Sequence, residues 1–185
     1  SELIIAEGFS AISGIKAQRN RETQACVAIQ GKILNCWRSD IKYAMKSEEV
    51  KQILNAILYT PYKRIIFATD ADPDGYHIST LLLGLLYQFT NKIQEGKVCY
   101  VNTPYYVFKK RGQEEQWSND AKDCPKGYHV STLKGLGSLT PEQVERFIIN
   151  EDTRELIYFE DRNPAKSEEA LDISLLEGGK RWILD

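Results

Sequence analysis

The sequence is poor in the residues that announce several common kinds of site. It has two histidines, one methionine and four cysteines in 185 residues. The cysteines, Cys26, Cys36, Cys99 and Cys124, form no C-x-x-C pair. With so few histidines, that argues against a structural zinc site. Cysteines scattered in this way read as reduced thiols of a cytoplasmic protein. Long apolar runs are also missing. The greasiest stretch, residues 78–86, is far short of the ~20 residues of a membrane span, so no membrane partner is expected. Ser1-Glu2 followed by four apolar residues is no signal peptide. Nor is there an excess of charge: 24 Lys+Arg stand against 26 Asp+Glu, a net charge of −2. Bulk charge therefore does not announce a nucleic-acid or membrane binder.

What is present is a sizeable hydrophobic fraction, 42%, with three tryptophans and six phenylalanines to anchor a core. That excludes a disordered chain. The charge is uneven along the chain: 18 basic and 14 acidic residues precede Glu142, and 6 basic and 12 acidic residues follow from it. A mildly basic body with an acidic tail is compatible with a polyanionic partner. A strand-like segment begins almost at residue 1, which reads as a piece of a larger protein.

Leu3-Ile4-Ile5-Ala6 has the look of a buried strand. Helical spacing follows at Ile12 and Ile15, then a second short strand over residues 25–29. Over residues 48–59, Val50, Ile53, Leu54, Ile57 and Leu58 carry a helix period that Pro61 ends. Residues 64–69 are the strongest strand signal, β-branched and aromatic, and run straight into Asp70. Ile78, Leu81, Leu82, Leu85, Leu86, Phe89 and Ile93 mark a long amphipathic helix, closed by Gly96. Strands are expected over residues 98–102, 105–110 and 128–133, with an exposed polar loop over 111–126. Thr140-Pro141-Glu142-Gln143 starts a helix, with a capping threonine, proline at the first helical position and a glutamine closing the box. Residues 167–176 form a last helix. Strands alternating with helices predict an α/β fold with a mostly parallel sheet flanked by helices.

Asp70-Ala71-Asp72-Pro73-Asp74-Gly75 sets three carboxylates at alternate positions just after a buried strand. In open α/β sheets ligands sit at the carboxyl ends of strands. Clustered carboxylates repel one another unless a cation or protons intervene. Oxygen ligands alone favour Mg²⁺ or Ca²⁺. An EF-hand is ruled out, because its twelfth position would be Leu81 rather than a glutamate. The plain alternative is a polar turn whose acids cap the helix from Gly75. Glu7 ends the first strand as Asp70 ends the strongest one, and if these strands are neighbours the four acids meet at one edge. Two such carboxylate sources suit Mg²⁺, which keeps waters and substrate phosphates among its ligands.

Glu7-Gly8-Phe9-Ser10-Ala11 followed by Asp70-Ala71-Asp72-Pro73-Asp74-Gly75 resembles the Toprim domain, a Rossmann-like fold. Gln30-Gly31-Lys32-Ile33-Leu34-Asn35 resembles the R-G-K-I-L-N segment of type IIA DNA topoisomerases (gyrase B and topoisomerase II). Asp74-Gly75-Tyr76-His77-Ile78 resembles their D-G-x-H-I, and Lys134-Gly135-Leu136-Gly137 their K-G-L-G. Ile173-Ser174-Leu175-Leu176 and Lys180-Arg181-Trp182-Ile183 are similar to the close of the same domain. The motifs occur in order and span nearly the whole chain. There are departures: Phe9 stands where E-G-D-S-A proteins carry an aspartate, and Ser138-Leu139 replaces Glu-Met. These lean toward the phage and eukaryotic forms and suggest a phage or otherwise divergent source, hence a bacterial or phage-infected host cytoplasm.

The resemblance implies one domain of an ATP-dependent isomerase that changes DNA topology. Residues 1–141 would be the Toprim core with its DNA-gate segments. Residues 142–185 would be a helical extension leading toward a missing winged helix. A tyrosine on that other domain or subunit is the group that attacks the DNA, and ATP binds only to an ATPase domain absent from this chain. Glu7, Asp70 and Asp72 would be catalytic and hold one or two Mg²⁺ ions, with Asp74 as a further ligand. Glu7 has two competing assignments, metal ligand and general acid or base. Lys32, Asn35 and Lys134 match positions where the family contacts double-stranded DNA. Lys16, Arg19 and Arg21 form a basic run that suits a DNA backbone, or simply a solvated helix face. For Gly135 and Gly137 the plain alternative is a tight turn needing positive φ. His77 reads as a packing or hydrogen-bonding residue, since Mg²⁺ prefers oxygen. The chain alone is expected to be inactive. The other readings are a Toprim primase or nuclease, and a catalytically silent fragment that binds DNA or a partner subunit.

Overall fold

The apolar run at the start of the chain forms an inner strand of the computed structural model, which describes residues 1–133 and 135–176. In chain order the elements begin with β1 (Glu2–Glu7), α1 (Phe9–Gln18), β2 (Gln24–Ile29), α2 (Ile41–Ala44), α3 (Glu48–Tyr59), β3 (Arg64–Ala68) and α4 (Pro73–Phe89). They continue with β4 (Val98–Val101), β5 (Tyr106–Lys109), β6 (Gln116–Ser118), β7 (His129–Thr132), α5 (Pro141–Val144), β8 (Leu156–Tyr158) and α6 (Pro164–Leu175). A five-stranded sheet has the order β2-β1-β3-β4-β8. Its first four strands are parallel, and β8 pairs antiparallel with β4. A separate antiparallel sheet has the order β6-β5-β7. The expected mostly parallel α/β sheet is therefore present.

Strand alternation splits the core in two. Leu3, Ile5, Ile65 and Phe67 face one way, into the side chains of α3, α4 and α6. Ile4, Ala6, Ile66 and Ala68 face the other way, against Ile12 and Ile15 of α1 and Val144 and Phe147 beyond. Phe67 is fully buried, which is worth roughly 1.5–3 kcal/mol relative to an exposed ring. The helix after β1 thus covers one face and the helix after β3 the other. Neighbouring strands whose connections leave to opposite faces create a crevice at their carboxyl ends.

The capping box at Thr140 is formed: Gln143 N–H donates to Thr140 Oγ1 at 3.2 Å and Thr140 N–H to Gln143 Oε1 at 3.0 Å. The helix then widens into a π turn, Glu145–Ile149. Three sequence expectations need correction. α4 ends at Phe89 with Thr90 at its C-cap, short of Ile93 and of the Gly96 expected to close it. The segment from residue 142, expected to be a helical extension, supplies the edge strand β8, so its packing is continuous with the core sheet. The expected loop over 111–126 contains β6, which pairs with β5 through Val107 and Trp117. The last helix begins at Pro164, three residues before the expected start, behind an Asn163 cap. The closing motif from Lys180 to Ile183 lies outside the described residues.

Candidate metal centre

The crevice lies between the ends of β1 and β3. Ala6 is level with Ala68, so Glu7 ends its strand one step before Asp70. By alternation Glu7 faces the α4 side. There Asp72 is the N-cap of α4, its Oδ1 accepting from Gly75 N–H at 2.8 Å, with Pro73 at the first helical position. The capping alternative is thus correct for Asp72, although the helix starts two residues earlier than Gly75. Asp74 is exposed in the first turn and pairs with Lys32 Nζ at 3.0 Å. Asp70 Oδ1 accepts from Leu136 N–H at 2.8 Å.

Glu7 is left as the exception. Its Oε2 is the one carboxylate oxygen buried without a hydrogen-bond partner among the described residues. Burial raises the pKa of its carboxyl above the usual glutamate value, and the charges of Asp70, Asp72 and Asp74 push the same way. A hydrogen bond from the Asp70 backbone opposes them. His77, in the second turn of α4, is shifted down by burial and by Lys32.

Two glycines make room for Asp70. A Cβ on Gly75 would overlap the Asp70 carbonyl oxygen and lie 2.8 Å from its carbon. A Cβ on Gly135 would overlap the Asp70 carboxylate. Gly135 has φ −45°, and neither it nor Gly137 has positive φ. The tight-turn explanation for this pair is therefore wrong; close approach is the requirement. A Cβ on Gly137 would fall 2.9 Å from Ser10 Cβ, so this turn also packs on the start of α1. Sequence reasoning missed this cradle, and the two motif glycines were its only signal. A cleft of about 280 Å³ opens beside it, lined in part by Asp70, Asp72, Pro104, Tyr105, Thr132 and Leu136. Tyr105 closes its wall by donating its hydroxyl to the Ala71 carbonyl at 3.0 Å.

The other sequence candidates separate. Asn35 spends its side chain internally: Nδ2 donates to the Leu175 carbonyl at 2.9 Å and Oδ1 accepts from Trp37 N–H at 3.1 Å. It ties the segment after β2 to α6. Lys16, Arg19 and Arg21 do not gather at the crevice, because α1 runs away from it. Arg19 donates to the Gln24 carbonyl at 3.0 Å, beside the strand end that carries Glu2. Lys134 lies outside the described residues.

Among the described residues no three histidine, cysteine, aspartate or glutamate side chains form a ready-made metal cage. Mg²⁺ does not need one, since it binds through one or two carboxylates and fills its shell with water and phosphate oxygens. The orphaned Glu7 oxygen, surrounded by like charge, fits that kind of ligand.

A profile of the Toprim domain matches residues 2–104. The chain belongs to the Toprim family. Among curated proteins this Toprim chain is similar to the B subunit of DNA gyrase from Thermotoga maritima, 36% identical over 176 residues, covering 85% of this chain and 28% of that protein. It is also similar to the B subunit of DNA topoisomerase 4 from Streptococcus pneumoniae, 30% identical over 213 residues, covering all of this chain and 32% of that protein. The chain thus spans about a third of the length of these relatives. In fold it resembles a crystal structure of the Plasmodium falciparum topoisomerase II DNA-binding, cleavage and re-ligation domain. The TM-score is 0.79 at 21% identity, covering 95% of this chain and 27% of that one.

Proposed function

We propose that this Toprim domain supplies the Mg²⁺-dependent DNA cleavage and religation site of an ATP-dependent type IIA topoisomerase. The observation that carries this reading is the buried, unpartnered Glu7 oxygen at the crevice, facing three aspartates. Glu7 and Asp70 would hold the ion, with Asp72 and Asp74 contributing their remaining oxygens. When bound, Mg²⁺ neutralises charge developing on the transferring phosphoryl group and on the departing oxygen. The chain's own part is to position. Gly75 leaves room for the Asp70 backbone, Gly135 leaves room for its carboxylate, and the Leu136 N–H holds that carboxylate. Lys32 balances Asp74 at the mouth, where a DNA phosphate would approach. Double-stranded DNA, a tyrosine-bearing winged-helix domain or subunit, and an ATPase domain are the partners of this reading, and the cytoplasm is its place. No helix among the described residues is long and apolar enough to cross a membrane.

The test is Mg²⁺-dependent DNA cleavage by the complete enzyme carrying Glu7→Gln or Asp70→Asn. A loss of 100-fold or more is expected from each, in line with removing a charge-stabilising group at a reacting centre. The 185-residue chain alone should bind Mg²⁺ weakly and relax no supercoiled DNA. A second reading, a non-catalytic fragment that binds DNA or a partner subunit, is favoured by the engagement of Asp72 as a helix cap and Asp74 as an ion-pair partner. Cleavage at the unmodified rate by both variants would decide for it.

A further inference from the structure

We propose that Phe9 is a nucleobase-stacking residue that positions the DNA strand at the rim of the metal centre. The inference rests on the reading above and adds a contact to it. Phe9 follows Glu7 by two residues, no more than about 7 Å along the backbone. Its side chain is 63% exposed, although it opens a helix whose Ala11, Ile12 and Ile15 are buried.

The ring is held by a rigid base rather than a loop. Gly8, at φ 85°, turns the chain off β1 into α1. Ser13 Oγ donates back to the Phe9 carbonyl at 2.7 Å. The next residue, Ser10, is packed against Gly137 of the turn that also reaches Asp70. An uncovered aromatic ring on an anchored backbone, beside a phosphate-handling site, has the form of a stacking platform, which accepts any unpaired base because every base has a π face. Where the similar E-G-D-S-A segments have an acid, this chain has an uncharged ring, so one repulsion against a DNA backbone is absent.

The same helix face extends the contact. Phe9, Ser13 and Lys16 stand at i, i+4 and i+7, one stripe of a helix, and Ser13 and Lys16 are exposed. Seven residues rise about 10.5 Å, close to three steps of a DNA strand at 3.4 Å each. Lys16 would therefore meet a phosphate about three nucleotides from the stacked base.

The test uses the 185-residue chain with Mg²⁺ and a short DNA duplex whose single-stranded overhang carries 2-aminopurine, read by fluorescence over a salt series. Phe9→Ala should bind about 5- to 150-fold more weakly, as loss of one stacked base implies. Phe9→Trp and Phe9→Tyr should restore affinity and quenching. The slope of log K against log salt should be unchanged in Phe9→Ala and should fall by about one in Lys16→Gln. Thermal melting should be the same for all of them, because the ring is exposed. If Phe9→Ala binds as the unmodified chain does, or if Trp and Tyr fail to rescue, the stacking proposal is overturned while the metal reading stands. If the unmodified chain shows no Mg²⁺-dependent duplex binding, the metal reading falls and the stacking falls with it.

Discussion

Glu2 and Glu7 stand at the two ends of β1, and their surroundings are opposite. Glu2 is 3% exposed and is held by Arg154, whose Nη1 donates to Oε2 at 2.9 Å and Nη2 to Oε1 at 2.5 Å. Gln24 and Arg64 add contacts at 3.0 and 3.1 Å. Burial alone would raise its pKa, but Arg154, Gln24 and Arg64 outweigh burial and bring it below the usual glutamate value. Glu7 has the same chemistry, but among the described residues its Oε2 has no partner. Its burial and three neighbouring aspartates raise its pKa. One end of the strand is a closed ion-pair network that joins β1 to the segment before β8. The other end has no such network among the described residues, and it is the end that the proposed Mg²⁺ would complete.

The largest effect should come from opening the closed end. Arg154→Met leaves Glu2 buried without its main partner and should cost about 3–5 kcal/mol in urea unfolding. Replacing both, as Glu2→Leu with Arg154→Met, should recover most of that loss. Recovery would show that the pair fits this end together rather than adding net stability.

Gly135→Ala comes next, at about 1–3 kcal/mol of overpacking. Its clash falls on the Asp70 carboxylate, so Mg²⁺ affinity by calorimetry should drop as well. Loss of stability with unchanged Mg²⁺ affinity would detach the cradle from the site.

The pH dependence of stability should have opposite signs at the two ends. Glu2, with a lowered pKa, contributes stability present above the ordinary carboxylate range and lost as pH falls through its native value. Glu7, with a raised pKa, contributes stability that is full below the ordinary value and lost as pH rises through its native value. Glu7→Gln should therefore be at least as stable as the unmodified chain at pH 7 without metal. Added Mg²⁺ should stabilise the unmodified chain more than the variant, by the usual linkage. Denaturation midpoints from pH 3 to 8 read both.

The smallest effect belongs to Lys32→Gln. Its pair with Asp74 is exposed on both sides, so stability should change by about 1 kcal/mol at most. DNA binding should lose roughly one unit of salt slope if Lys32 meets a phosphate.

Much of this was legible in the letters. The β-branched run into Asp70 could only be a buried strand, and the Thr140 capping box named its helix start to the residue. Glu7 and Asp70 could be picked out because each closes an apolar strand segment, and Asp72 and Asp74 because they alternate with Asp70. Other parts carried no local signal. β8 is three residues long, too short for a periodicity to show; its strand character comes from pairing with β4. Asn35 reads like a solvent-facing contact, and only the arrival of α6 commits its amide inward. Arg19 and Arg21 read as part of one basic patch with Lys16, but a helix of ten residues carries them to the other end of the sheet.

By itself the sequence determined the alternation of strands and helices, the caps, and which carboxylates would end strands. Each of those depends on neighbours within a few positions along the chain. The tertiary structure decided what each charge would meet. Glu2 and Glu7 differ because Arg154, 152 residues away from Glu2, folds back onto one end of β1, while Asp70 and the turn carrying Gly135 close around the other. The energy of a charge depends on the distance and dielectric of everything around it, and those follow from the packing of distant segments, not from the letters beside it.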